Sequence, residues 1–384
     1  MSGDPTGDER ASHGVPREVL QAERSKLVAE LVELDRDAAQ RLAEADPDLH
    51  RVRSEKREEL ARVETAMAPR FAIHKLAERG IDLATPPPPP PVLLKFGGGQ
   101  PFMRSGVVAS LLAPGGTGKT FALVQLAVAI ASGTPWLGTY HPTRKGAVFL
   151  ALAEEDDEEV QRRLWQATRG LDDYQLNEVH RNVAAYGRAG HDVAFLHRTP
   201  DRNIGSTQWF STIKAELAAK GPWRSVILDP WSRWGGVDAE TDAHAATFGV
   251  RLLEELTKLE GAPAVIVAHH TRKAQRGSNA PADASDARGS SAFVDGGRFT
   301  MNLSRHNENL LTLNVTKTNG TIPGPELLLA RADGGVLRPA TPTEQAEAHE
   351  GRATAGARNT RKVPTPVPTP AATNAKQRTQ SLEW

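Results

Sequence analysis

The 384-residue chain contains no cysteine. Disulfides and thiolate metal sites are thereby excluded, and the composition fits a reducing compartment. An excess of charge of either sign is missing too: 47 Lys and Arg stand against 47 Asp and Glu. The molecule as a whole exerts no electrostatic pull on nucleic acid, so any basic surface has to be local. No apolar run reaches the roughly 20 residues a membrane span requires. The opening MSGDPTGDERASHG is polar and acidic, unlike a secretory leader. These absences predict a cytoplasmic protein with no membrane partner.

Composition along the chain is uneven. Residues 1–16 are rich in Gly, Asp and Ser and read as disordered. Residues 17–84 read as helical: Leu20, Leu27, Leu31 and Leu34 recur near helical spacing amid charged residues, and Val52, Leu60, Val63 and Met67 follow a break at Asp46-Pro47-Asp48. A helical hairpin or short coiled coil is expected there, with an apolar stripe too thin for a full core. Six prolines, Pro86–Pro91, then form a stiff spacer, and KFGGGQ continues the connection, so 85–104 is read as a linker. From 341 to 384 the chain is rich in Thr, Pro, Ala and Gln and is read as a disordered tail.

Between 105 and 340 the texture alternates. VVASLLA, AVFLALA, SVILD and AVIVA are apolar runs separated by helical stretches. Continuous apolar runs of this kind indicate a parallel sheet buried on both faces. FTMNLSR and LLTLNVTK alternate instead, as an antiparallel C-terminal extension would. The fold class is α/β, a core of mainly parallel sheet with an antiparallel C-terminal extension and a helical segment before it.

The sharpest motif is Ala113, Pro114, Gly115, Gly116, Thr117, Gly118, Lys119 and Thr120. It follows an apolar strand and opens a helix, as a phosphate-binding loop must. Glycines let backbone N–H groups turn inward around phosphate oxygens, and the helix N-terminus adds positive potential. Lys119 suits the β- and γ-phosphates of ATP, and the Thr120 hydroxyl suits Mg²⁺. Ala113 replaces the usual first glycine.

Asp229 ends the SVILD strand, where open α/β sheets bind ligands, and fits a second Mg²⁺ contact. Glu154 and Glu155 lie just past AVFLALA at the same sheet edge. Either carboxylate there can polarise a water, and the rest of the acidic run 154–159 suits a helix start. His269 and His270 end AVIVAHH; a histidine at that place either meets a γ-phosphate or is an ordinary strand-end residue. The long loop 271–290 carries Arg272, Lys273, Arg276 and Arg288. Lys273, Arg276 and Arg288 are its candidate DNA contacts, and a solvated loop is the alternative. Arg288 and Arg298 are candidates for an arginine supplied to a neighbouring subunit.

The ordered segments APGGTGKT, LAEED…RRL, VILDP, VAHHTRK, RGSSAFVDGGRF, VTKTNG and ADGGVLRP resemble those of the RepA-like replicative helicases. These are hexameric ring ATPases of the RecA type, and the resemblance spans about 105–340. It implies an ATP-dependent DNA helicase or translocase of replication, with ATP and Mg²⁺ as cofactors and single-stranded DNA and its own copies as partners. It assigns phosphate and Mg²⁺ contacts to Lys119 and Thr120, and the acid after the third strand to Asp229. The catalytic base becomes Glu154, with Glu155 one residue away, and the phosphate-sensing histidine becomes His269. Arg298 becomes the trans arginine finger in preference to Arg288, and the loop 271–290 projects into a ring channel. The N-terminal helices lie outside the resemblance and suit a replication partner. A RecA-type ATPase that binds single strands in recombination without unwinding, and a nucleotide-dependent assembly switch, use the same core.

Overall fold

The computed structural model describes residues 17–40, 47–67, 73–199, 201, 203–236, 242–270, 291–307, 309–321 and 323–348. The residues read as disordered, 1–16 and all but the first part of 341–384, lie outside that set. The chain divides into two compact units, Met1–Pro88 and Pro89–Trp384.

In the first unit α1 (Arg17–Gln40) packs along α2 (Pro47–Met67). The seam is narrow. Leu27 and Val63 are buried, while Val28 and Val32 stay exposed. Lys56 bridges the helices to Glu30 at 2.9 Å and also meets Glu59 at 3.2 Å. Exposed pairs of this kind add little stability, so the hairpin depends on its apolar contacts. The prolines that follow are exposed and form no regular element.

The second unit begins earlier than composition suggests. Where the sequence reading extends the linker to residue 104, β1 (Val92–Phe96) and β2 (Pro101–Arg104) pair as an antiparallel hairpin. Gly99, at φ 87°, supplies its turn. Leu93, Leu94, Phe102 and Met103 are all buried in the main core. The runs VLL and FM are too short to stand out beside six prolines, yet they carry enough apolar surface to fix the hairpin.

Next come β3 (Val108–Ala113), α3 (Lys119–Ser132) and β4 (Tyr140–Pro142), the last of which pairs with β1. Phe102 stacks on Tyr140 with ring centres 3.9 Å apart and meets Phe299 edge-on. β5 (Ala147–Leu152), α4 (Asp157–Thr168), α5 (Asp173–Asn182) and β6 (Val183–Gly187) follow. A small ladder of β7 (Leu196–Arg198) and β8 (Ile204–Ser206) precedes α6 (Gln208–Lys220), β9 (Trp223–Asp229) and the short α7 (Trp231–Trp234). The described chain then runs through α8 (Ala243–Leu256), β10 (Ala264–His270), α9 (Ser291–Gly296), β11 (Phe299–Arg305), β12 (Leu310–Thr318), β13 (Leu327–Arg331) and β14 (Leu337–Pro339).

Nine strands form one sheet in the order β14-β13-β12-β11-β3-β10-β9-β5-β6. The six from β11 to β6 are parallel, and β12, β13 and β14 add antiparallel. β11 therefore belongs to both ladders, and the antiparallel extension starts one strand later than the texture of FTMNLSR suggests. This is an α/β core of mainly parallel sheet with an antiparallel C-terminal extension, the class the sequence indicates. Alternate residues of each strand enter opposite layers. Ala264, Ile266 and Ala268 of β10 join the layer that contains α3, and Val265 and Val267 join the layer that contains α8.

The buried hairpin sets a testable boundary. A chain starting at Pro89 should melt cooperatively. One starting at Ser105 loses four buried side chains and should be insoluble or melt far lower, since each large apolar deletion costs about 2–5 kcal/mol. Circular dichroism melts compare the two, and equal melting would return residues 92–104 to the linker.

Candidate nucleotide site

β3 is buried along its whole length and delivers the chain to Pro114. Gly116 and Gly118 follow at φ 70° and 103°, in the left-handed region where a Cβ is strained. Thr117 is fully buried and its hydroxyl donates to the Pro114 carbonyl at 2.7 Å, closing the loop on itself. Helix α3 starts at Lys119 with Gly118 as its N-cap, so no side chain caps its first turn. Its N-terminal amides are left for an anion.

Asp229 is buried at the end of β9, and the Thr120 side chain hydrogen-bonds to it. Its Oδ2 has no hydrogen-bond partner among the described residues. Burial pushes the carboxyl above its ordinary range, while Thr120 and the Lys119 charge pull the other way. A buried carboxylate oxygen left unpaired beside a hydroxyl offers two oxygens to a hard cation, and the nearby ammonium suits the phosphates that would share it.

Asp156 caps α4 by accepting from the Glu159 amide at 2.7 Å, and Asp157, Glu158 and Glu159 fill the first turn. The two glutamates before the cap differ in surroundings. Glu155 is half-buried and holds Arg163 at 2.5 Å, with burial raising its carboxyl pKa and Arg163 opposing. Arg163 is itself shared with Glu159 at 3.0 Å and lies over the Phe121 ring. Glu154 is half exposed, 3.8 Å from Arg233, and its charge acts on Asp229. Of the pair, Glu155 is bound up in an ion-pair network and Glu154 is the more available.

The alternation along β10 separates the two histidines. His270 takes the α3 side, where its Nδ1 lies 3.3 Å from Lys119 Nζ. His269 takes the other side, 1 % exposed, with its ring against Phe293. Burial lowers its pKa to about 4. The structure thus brings His270 to the phosphate loop, whereas His269 faces the core.

Arg298 stands before β11, and its amide donates to the Val108 carbonyl at the start of β3. Five residues separate Val108 from Ala113, about 16 Å of strand. The side chain is exposed at the opposite end of the sheet from its own phosphate loop. Lys273, Arg276 and Arg288 lie outside the described residues. No helix among the described residues is long and apolar enough to cross a membrane.

A family model described as an AAA domain matches residues 68–276, just over half of the chain and the whole stretch from the phosphate loop to His270. The chain belongs to this AAA domain family. Among solved structures it is similar to one whose title describes an ATPase domain, with 15 % identity and a TM-score of 0.44 over 62 % of this chain and 87 % of that one. It is also similar to a structure titled "The Structure Of A DnaB-Like Replicative Helicase And Its Interactions With Primase". There the identity is 12 % and the TM-score 0.48, over 84 % of this chain and 76 % of that one.

Two residues at the loop of this AAA domain receive no role of their own from the sequence. His270 is named only beside His269, because a strand buried on both sides gives no sign of which face is which. Arg331 is not singled out at all. It ends β13 and donates to the Gly116 carbonyl at 2.6 Å. Its only sequence signal is its place immediately before ADGG, in the last of the ordered segments.

His269 carries a pH signature. Its folded pKa, about 4, lies below the unfolded value near 6.5. The unfolded chain takes up the proton first, so stability is full above pH 6.5 and is lost as pH falls toward 4. At pH 5 the loss is about 2 kcal/mol. His269→Leu should remove that part of the slope, read as a smaller drop in melting temperature between pH 7.5 and 5. An unchanged slope would mean that the ring is not buried neutral.

Proposed function

We propose that the chain is an ATP-hydrolysing motor of the replicative helicase type, acting on single-stranded DNA as a homo-hexameric ring. The observation that supports this reading is the separation of the loop and Arg298 to opposite ends of one strand. The loop 113–120, Asp229 and Glu154 gather at one sheet edge, and Arg298 is presented at the other, too far away to serve its own loop.

In this reading the loop amides and Lys119 hold the β- and γ-phosphates of ATP. Thr120 and Asp229 would hold Mg²⁺, which when bound neutralises phosphate charge. Glu154 accepts a hydrogen bond from the attacking water and orients it in line with the γ-phosphate. His270, touching Lys119, is placed to register the presence of the γ-phosphate at the end of β10. His269, one position back, would respond only through the strand. Arg298 of the preceding subunit spreads the charge of the transferring phosphoryl group. The loop 271–290, with Lys273, Arg276 and Arg288, follows β10 directly, so a change at His270 passes straight into the segment proposed to touch DNA. The helices of the first unit are proposed to serve a replication partner.

Two experiments test this. If Glu154 is the base, Glu154→Gln should bind ATP normally and hydrolyse it about 100-fold more slowly or worse, in keeping with the usual contribution of a general base. Glu155→Gln should be milder, because its partner Arg163 retains Glu159. The reverse ranking would move the base to Glu155.

The ring is tested by mixing. Arg298→Ala subunits should bind ATP but hydrolyse poorly, and wild-type protein should displace a strand from forked DNA in the presence of ATP. Once energy transfer between labelled subunits shows exchange, mixing Arg298→Ala with Lys119→Ala should restore some hydrolysis. An intact loop then meets an intact arginine at some interfaces. Exchange without any recovery would count against a trans arginine, and wild-type hydrolysis without strand displacement would favour a single-strand-binding ATPase.

A further inference from the structure

The contact between Arg331 and the phosphate loop has no place in the mechanism above. The guanidinium arrives from an element 215 residues beyond the loop, and Nη2 lies 2.6 Å from the Gly116 carbonyl oxygen. It also lies 3.7 Å from where a Cβ on Gly118 would stand. That carbonyl and the Thr117 N–H belong to one peptide group. A charged donor on the oxygen draws electron density through the amide and makes the N–H a stronger donor, as linked hydrogen bonds do. The Thr117 hydroxyl, donating to the Pro114 carbonyl, helps to hold that peptide group in the loop.

The turn that carries Arg331 is fixed without it. Gln125 on α3 exchanges two hydrogen bonds with the Leu337 backbone, at 2.8 and 2.9 Å. Gly335 lies directly on Phe121, where a Cβ would come within 2.7 Å of the ring. The Ala332 amide closes the turn onto the Val336 carbonyl at 2.8 Å. Arg331 itself is exposed, so its bond to the loop is not needed to hold the turn in place.

We infer that Arg331 is a positioning residue for the phosphate loop: held on the Gly116 carbonyl, it sharpens the Thr117 amide toward a nucleotide phosphate and raises affinity for nucleoside di- and triphosphates. The inference rests on the nucleotide reading of the loop. It assigns Arg331 to ground-state binding in its own subunit, in contrast to Arg298, which acts on the neighbour.

The test is equilibrium binding of a fluorescent ADP analogue to the full chain, together with steady-state ATP hydrolysis and thermal melting. Arg331→Ala should raise the ADP Kd and the ATP KM about tenfold, equivalent to about 1.4 kcal/mol. It should leave kcat within about twofold and the melting temperature almost unmoved. Arg331→Lys should recover much of the affinity, because an ammonium can still polarise the carbonyl. Gln125→Ala loosens the turn without touching the loop, and should lower the melting temperature with a smaller change in Kd. An unchanged Kd in Arg331→Ala overturns the inference. So does a lysine variant no better than alanine, or a Gln125→Ala variant that reproduces the whole effect. Lys119→Ala, measured alongside, separates the two levels. If it binds ADP like wild type, the loop is not the nucleotide site. If it loses binding while Arg331→Ala keeps it, only the role of Arg331 fails.

Discussion

The parallel ladder that joins β5, β9, β10 and β3 brings four strand ends to one edge. Leu152 stands opposite Asp229, Val267 opposite Leu228 and His270 opposite Ala113. A register slip of one residue in any of these pairs would turn Asp229 or His270 to the other face of the sheet. The slip is resisted by apolar side chains on both faces, since each strand feeds two packed layers at once. The chemistry at the edge is therefore held in place by residues that take no part in it.

That edge also concentrates unfavourable electrostatics. Asp229 is buried with one oxygen unpaired among the described residues, and its carboxyl is pushed toward the neutral form. His269 is buried without charge one strand away. Removing a carboxylate from water costs several kcal/mol unless opposite charge or hydrogen bonds compensate. Lys119 and Thr120 supply part of the compensation. A bound cation would supply more, so Asp229 has the surroundings of a group shaped for a ligand rather than for stability.

How much of this could be read beforehand follows from what each signal encodes. The phosphate loop was legible because its glycines, Lys119 and Thr120 are local in sequence and flanked by a strand and a helix. Asp229 and the glutamates were legible as ends of apolar runs. The hairpin at 92–104 was not, because its five-residue strand and Gly turn sit against polyproline and are recognisable only once Phe102 has found Tyr140. Nor was the order of the histidines. In a half-exposed strand, polarity marks the faces; in AVIVAHH both faces are apolar, and only the helices packed on each side distinguish them. Arg331 meets Gly116 across 215 residues, a contact with no local pattern.

The geometry of β3 links these levels. Its C-terminal end carries the phosphate loop, and its N-terminal end receives the Arg298 amide on Val108. Because the strand is buried throughout and paired on both sides, it cannot bend to bring the two together. An arginine about 16 Å from its own loop along a rigid strand has no access to a phosphate held there. Arg331 contacts that loop, and Arg298 stands exposed at the other end of the strand. The two arginines thus divide along the strand axis, as the roles proposed for them, one within a subunit and the other between subunits, require.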